Sequence, residues 1–173
     1  MSKLVWRNIG RFVLLVLLQL LVLNHVYLGG YTMPMLYVLF IVMLPTDTHR
    51  IALLLIAFGT GLLVDMMNNV LGLHALACTV VAMLRILFAD RILTRNEPVV
   101  VNTPSIYTIT PYYFISYLML LLAAFYLVFF TVEKFGCRHW GGILLATLCS
   151  TVATTLLAVL YQLIFNKGLR FKV

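Results

Sequence analysis

The stretch that decides the class of this protein is residues 51–65, IALLLIAFGTGLLVD. Its first fourteen residues are largely apolar, and they separate Arg50 from a single acid, Asp65. Because an α-helix rises about 1.5 Å per residue, Asp65 would lie about 22 Å beyond Arg50. If Arg50 marks the edge of a hydrocarbon core about 30 Å thick, the carboxyl group lies well inside that core. An acid at this depth needs a hydrogen-bonding partner, a proton or a water-filled cavity.

The composition of the whole chain indicates an integral membrane protein. Of its 173 residues, 64% are hydrophobic and 10% are charged, and the mean hydropathy is +1.08. A soluble domain of this length could not bury so much apolar surface. The net charge of +7 comes from small basic groups beside apolar runs, which is typical of topology signals and argues against a nucleic-acid partner. The three cysteines lack paired spacing and therefore do not predict a disulfide framework.

The apolar runs predict an all-α membrane protein, with residues 1–173 forming a single bundle of six transmembrane helices. The first run follows three basic residues and lacks a signal-peptide cleavage site, so we expect it to be retained. The second run lies between Pro34 and Pro45 and is short for a full span, so we expect it to be steep, to thin the bilayer locally, or to start in the interface. The predicted spans are residues 12–28, 32–45, 51–69, 70–88, 113–132 and 140–165.

The distribution of basic residues predicts that both termini are cytoplasmic. With six spans, ten lysines and arginines lie on the cytoplasmic side and two, Lys134 and Arg138, lie outside. In a five-span alternative the second run does not cross, and the basic residues that then fall on mixed sides are Arg50, Arg85, Arg91 and Arg95. We therefore expect six spans. The polar, proline-bearing loop of residues 89–111 is predicted to lie along the membrane surface.

A polar cluster is predicted at the end of the third span. Asp65 shares a helix face with Asn68 and Asn69 ahead of it and with Ala57 and Gly61 behind it. Small residues let a neighbouring backbone approach, so this face should point into protein. Three interpretations stay open: contact with a partner protein, binding of a small molecule, or a helix end whose acid reaches the outer headgroups while the asparagines cap the turn.

The fourth span begins after Gly72, which is the expected break between the two helices. His74 is placed to hydrogen-bond Asp65 across this hairpin. Neither His74 with Cys78 nor the Cys137-Arg138-His139 run reaches the ligand count of a metal site. Arg85 lies about one turn from the cytoplasmic end of the span, and we expect it to snorkel to the interface.

The sixth span carries small residues at every fourth position: Ala146, Ser150, Thr154 and Ala158. This seam predicts close helix packing, with hydroxyls available for hydrogen bonds between helices. Packing within one chain is the main interpretation. The alternative is contact between helices of two chains, which would make a homodimer.

Catalytic motifs do not occur in the sequence. It has no phosphate-binding glycine loop, no Gly-x-Ser-x-Gly and no His-Glu-x-x-His, and Asp65 is its one clear intramembrane carboxylate. We therefore expect a protein that is not an enzyme and that needs no cofactor and no metal.

Three features occur together in the first half of the chain: Leu44-Pro45 at the end of a short second helix, the pattern Ala57-Phe58-Gly59-x-Gly61-Leu62-x-x-Asp65, and Leu71-Gly72. With these features the layout resembles the rod shape-determining protein MreD family of bacteria. It is specific over residues 36–81 and architectural elsewhere.

The resemblance implies a component of the cell-elongation machinery in the bacterial inner membrane. It implies that the chain acts with the bitopic protein MreC, the actin-like MreB filament, the peptidoglycan synthases and membrane lipid. It also implies an architecture similar to the substrate-binding subunits of energy-coupling-factor vitamin transporters. The main hypothesis is thus a scaffold that binds MreC and supports lateral wall synthesis. The alternative is a small-molecule-binding subunit of a transporter, with Asp65, Asn68, Asn69 and His74 in its pocket.

Overall fold

The fold is seen in a computed structural model, which describes residues 2–21, 32–46, 48–70, 72–93, 104, 110–134 and 140–165. Six helices make up this part of the chain. They are α1 (Ser2–Leu21), α2 (Val38–Val42), α3 (Arg50–Asn68), α4 (Leu73–Leu93), α5 (Pro111–Glu133) and α6 (Trp140–Phe165). The predicted all-helical class is confirmed for the described residues.

Three of the helices are long and apolar enough to cross a membrane: Arg50–Asn68, Pro111–Glu133 and Trp140–Ile164. Two shorter apolar helical stretches, Gly10–Gln19 and Leu73–Phe88, accompany them. The coarse prediction of a membrane protein built from apolar helices therefore agrees with the structure, which identifies three candidate spans in the described residues.

The helix bounds follow local sequence signals. α6 begins and ends at the predicted residues, and α3 differs from its prediction by one residue at each end. α4 begins at Leu73 rather than at residue 70 because Asn69 (φ 53°) and Gly72 (φ 74°) both adopt the left-handed backbone conformation that interrupts a helix. α5 begins at Pro111, since proline suits the first turn. The end of the predicted first span, residues 22–28, lies outside the described residues.

The second predicted span differs most from expectation. Instead of a helix over residues 32–45, only Val38–Val42 is helical. Residues 33–36, called the unwound segment here, form no helix and lead through Tyr37 into α2. The second run was expected to be a continuous short helix that is steep, thins the bilayer or starts in the interface. The structure instead shows an interrupted helix.

α2 lies at the centre of the bundle. α3, α4, α5 and α6 form a row in which each helix packs on the next, and α2 contacts α1, α3, α4 and α5. The residues from Met35 to Leu39 and from Ile41 to Leu44 are all buried. The row is antiparallel at α4 and α5, because His74 near the start of α4 contacts Phe129 near the end of α5 while Arg85 lies beside Tyr117 near the opposite ends. We refer to these two regions as the Asp65 end and the Arg85 end of the bundle.

Polarity is distributed in the opposite sense to that of a soluble domain. Large apolar side chains are exposed along the outer faces of the helices, for example Leu55, Met66 and Leu148. Polar side chains are buried instead. Those with the clearest roles are Gln19, Asp65, His74, Arg85, Ser150 and Thr154. An apolar exterior around a polar-containing interior is what a lipid environment favours.

Candidate functional site

The unwound segment is held by side chains from α5 and α6. The backbone N–H of Met33 donates to the Ser150 hydroxyl at 3.2 Å, and the N–H of Met35 donates to the hydroxyls of Tyr126 at 2.8 Å and Thr154 at 3.4 Å. The Tyr126 hydroxyl in turn donates to the Met33 carbonyl at 2.8 Å. Since that donation uses its one hydrogen, Thr154 is the donor in the close contact between the two hydroxyls.

A side chain of α1 holds the other side of the segment. The Gln19 amide nitrogen donates to the Pro34 carbonyl at 3.1 Å, and the Gln19 amide oxygen accepts from the Leu36 N–H at 2.8 Å. Gln19 thus binds donor and acceptor groups of the chain as a neighbouring strand would. The sequence offered one signal for this role, a lone amide inside an apolar run.

These contacts explain how non-helical backbone persists in the interior. Ser150 lies ten residues into α6, about 15 Å from the start of that helix, so the segment lies near the middle of the bundle. An unsatisfied backbone group in a lipid-like interior costs several kcal/mol. The side chains of α1, α5 and α6 supply the hydrogen bonds that a helix would have supplied itself.

Arg85 closes the other end of α2. Its guanidinium donates to the carbonyls of Ile41 at 2.7 Å, Leu44, and Pro45 at 3.4 Å. The last carbonyls of a helix have no partner within the helix, and a guanidinium can serve several of them at once. The expectation that Arg85 snorkels to the interface is wrong, because its side chain is only 2% exposed and faces the core. The Tyr117 hydroxyl of α5 is buried beside it.

Asp65 performs the corresponding role at the start of α4. Its two carboxylate oxygens accept from the backbone N–H groups of His74 and Ala75, each at 2.9 Å. The first N–H groups of a helix lack partners within the helix, and a carboxylate satisfies them with favourable charge. Asp65 is 3% exposed. The helix-end interpretation, in which the acid reaches outer headgroups, does not describe this geometry.

The two predicted asparagines occupy different surroundings from Asp65. Asn69 is exposed, and as the C-cap of α3 it adopts the left-handed conformation while its N–H donates to the Asp65 carbonyl. Asn68 is half-buried in the last turn of α3. Asp65 faces α4, whereas Asn69 ends α3 at the surface.

His74 joins three parts of the bundle. Its predicted hydrogen bond to Asp65 is made by the backbone N–H, while ring atom Nδ1 lies 2.7 Å from the Tyr37 hydroxyl. The ring centroid lies 4.9 Å from that of Phe129 on α5 and 5.8 Å from that of Tyr37. The contact between Tyr37 and His74 was not predictable from a sequence pattern, because 37 residues separate them.

Gly61 allows α3 and α4 to approach closely enough for the Asp65 contacts. A Cβ atom at Gly61 would lie 2.5 Å from the Ala75 Cα and 2.6 Å from the His74 carbonyl oxygen. Gly59 lies two residues earlier, on nearly the opposite face of α3. A Cβ atom at Gly59 would have nothing within 4 Å. Ala57 is fully buried on the packed face. Gly72 contributes through its positive φ rather than through packing.

The small-residue seam of α6 faces the interior of the same chain. Ala146, Ser150, Thr154 and Ala158 are all buried. Ser150 and Thr154 bind the unwound segment, while the neighbouring hydroxyls of Thr147, Thr151 and Thr155 donate to carbonyls within α6. The described contacts of this seam are therefore intramolecular.

Comparison of the chain with protein-family models, characterised proteins and solved structures finds no match. Within the described ranges no group of three or more His, Cys, Asp or Glu side chains is arranged to hold a metal ion. The buried polar groups around α2 bind backbone at both ends of the helix.

Proposed function

We propose that this chain is a non-enzymatic scaffold in the bacterial inner membrane, acting in the cell-elongation machinery. The non-enzymatic part of this proposal is supported by Asp65, a buried acid whose two oxygens both accept backbone N–H groups. A carboxylate fixed in this way positions a helix and is poorly placed to exchange protons with a substrate. The buried polar side chains then stabilise the fold by binding backbone groups.

The proposed partner is MreC, with MreB and the peptidoglycan synthases engaged directly or through it. Support comes from the family resemblance over residues 36–81, which in the structure cover α2, α3 and the first part of α4. The buried side chain of Asp65 supports this hairpin from within, so the proposed partner contact lies on exposed neighbours such as Met66 and Asn69. The apolar outer face of α3 suits a transmembrane partner helix.

The partner proposal is tested by purification and cell shape together. A tagged chain, extracted in mild detergent from a rod-shaped bacterium that depends on it, should recover MreC, and its depletion should round the cells. Met66→Trp should reduce MreC recovery at normal abundance, whereas Leu148→Trp on the outer face of α6 should not. Absence of MreC from the purified wild-type chain, with normal cell shape after depletion, would contradict the proposal.

The proposed topology has six spans with both termini in the cytoplasm, which puts the Asp65 end at the periplasmic side. Reporters active on only one side of the membrane can be fused after Tyr31, Thr94, Gly136 and Val173. The fusions at Thr94 and Val173 should be active in the cytoplasm and the other two in the periplasm. A C-terminal fusion active only in the periplasm would overturn this topology.

A second candidate function is the small-molecule-binding subunit of a transporter. One observation favours it, since interrupted helices at mid-membrane form substrate sites in many transporters. Against it, the backbone groups of the unwound segment bind Gln19, Tyr126 and Ser150. Native mass spectrometry of the purified protein decides between them, because a stoichiometric small molecule is expected only for the transporter subunit.

A further inference from the structure

The Tyr37 hydroxyl has one hydrogen to donate, and two atoms that could accept it lie nearby. Its oxygen lies 2.7 Å from His74 Nδ1 and 3.7 Å from the thioether sulfur of Met35. A phenol carries one hydrogen, and a thioether can only accept. Both hydrogen bonds can therefore exist together only when His74 Nδ1 carries a proton and donates it to the Tyr37 oxygen.

We propose that His74 is a proton-operated latch on the unwound segment. In the closed latch, Nδ1–H donates to Tyr37 and the Tyr37 hydroxyl donates to Met35. When the doubly protonated ring releases its Nδ1 proton to the aqueous phase at the Asp65 end, the ring keeps its Nε2–H. The Tyr37 hydrogen then rotates toward the bare Nδ1, and the bond to Met35 is lost. One proton leaves, and no covalent bond other than N–H changes.

The surroundings of His74 contain few other ionisable groups. Among the described residues they are Asp65 on α3, Tyr37 before α2, and Cys78 on α4, whose thiol lies beside the Tyr37 hydroxyl. α5 contributes the aromatic ring of Phe129. Burial opposes a charge on the imidazole, whereas the Asp65 carboxylate favours it. Histidine is the side chain whose charge ordinarily changes between about pH 5 and 8.

The latch is connected to the unwound segment through Met35. Met35 is also the residue whose N–H binds Tyr126 and Thr154, so the latch lies at the joint that α5 and α6 hold. Tyr37 is the N-cap residue of α2, whose other end is fixed by Arg85. Opening the latch therefore loosens the unwound segment before α2, while Arg85 keeps the far end of α2 in place.

The test follows His74 and Met35 by NMR in the same full-length sample in detergent micelles. Ring ¹⁵N shifts of labelled histidine report the protonation of each ring nitrogen, and the ¹³C methyl shift of methionine reports the thioether environment. His74→Asn and Met35→Leu assign the two signals. Between about pH 5 and 9, the range around the ordinary histidine transition, the Met35 methyl signal should shift with the same midpoint as the His74 ring.

Variants separate the latch from a general effect of pH. His74→Asn should make the Met35 signal independent of pH, while His49→Asn, which changes an exposed histidine at the other end of α3, should leave the shift unchanged. In Tyr37→Phe the ring should still titrate while Met35 no longer follows. If Tyr37→Phe does not fold, the His74→Asn comparison decides. A His74 ring that keeps one protonation state across this range, or a Met35 signal that stays constant while His74 titrates, would overturn the proposal.

Discussion

The α3–α4 hairpin and the unwound segment both lie in the interior of the bundle, but they satisfy their backbone polar groups in different ways. In the hairpin, Asp65 binds N–H groups only nine and ten residues away in sequence. In the unwound segment, Met33 and Met35 bind side chains 91 to 119 residues away. The hairpin is therefore a locally encoded unit, whereas the unwound segment takes its form from helices on both sides of it.

The largest effect is expected at Arg85, because the carbonyls of Ile41 and Leu44 depend on it. The Pro45 carbonyl also accepts from Thr48 and would keep a partner. Arg85→Met keeps much of the apolar stem and removes every donor. Two buried carbonyls would be left without a partner at about 1–3 kcal/mol each, so the loss of stability should be about 2–6 kcal/mol. Thermal unfolding in detergent and the yield from membranes measure it. Arg50→Met, at an exposed position, is the control, and equal stability of the two variants would show that α2 does not depend on Arg85.

Asp65→Asn tests the hairpin at almost constant size. An amide has one acceptor oxygen where the carboxylate has two, so one of the N–H groups of His74 and Ala75 loses its partner. We expect a loss of about 1–3 kcal/mol in thermal unfolding. Glu133→Gln makes the same chemical change at an exposed acid and should be nearly neutral. If both variants melt like the wild type, the hydrogen bonds from Asp65 to the start of α4 contribute nothing to stability.

Gly61→Ala tests the close approach of α3 and α4. The new methyl group would overlap the backbone of Ala75, so we expect a loss of about 1–3 kcal/mol. Gly59→Ala on the same helix meets open space and should be neutral or stabilising by up to about 1 kcal/mol, since alanine favours helix. Equal melting temperatures for the two variants would mean that the helices are not in contact at Gly61.

The smallest expected effect separates the two uses of hydroxyls on α6. Thr154→Val removes a hydroxyl that binds both Met35 and Tyr126, and should cost about 0.5–1.5 kcal/mol. Thr155→Val removes a hydroxyl that donates only within its own helix. The second change should therefore be close to neutral. A larger loss for Thr155→Val than for Thr154→Val would contradict the assignment of Thr154 as the hydroxyl that holds the unwound segment.

The same contrast explains how much the sequence could predict. The bounds of α3 and α6 were predictable, because apolar runs and helix-breaking residues act locally. The need of Asp65 for a partner was also predictable from its depth, although the partners are backbone amides rather than another chain or a ligand. Arg85 was misplaced because its acceptors lie 40 to 44 residues earlier in sequence. Gln19 and Tyr126 were missed as anchors because no single-chain pattern records that a distant segment lacks its own hydrogen bonds.

In the structure, the second predicted span is an interrupted helix whose first part is held by side chains of other helices. Backbone ¹³C chemical shifts distinguish helical from non-helical residues, and solid-state NMR measures them in lipid bilayers. With carbon-labelled protein, the Cα and Cβ shifts of Met33, Pro34 and Met35 should be non-helical, while those of Val38 to Val42 should be helical. A continuous run of helical shifts from Pro34 to Leu44 would show that the second span is an uninterrupted helix and would contradict this arrangement.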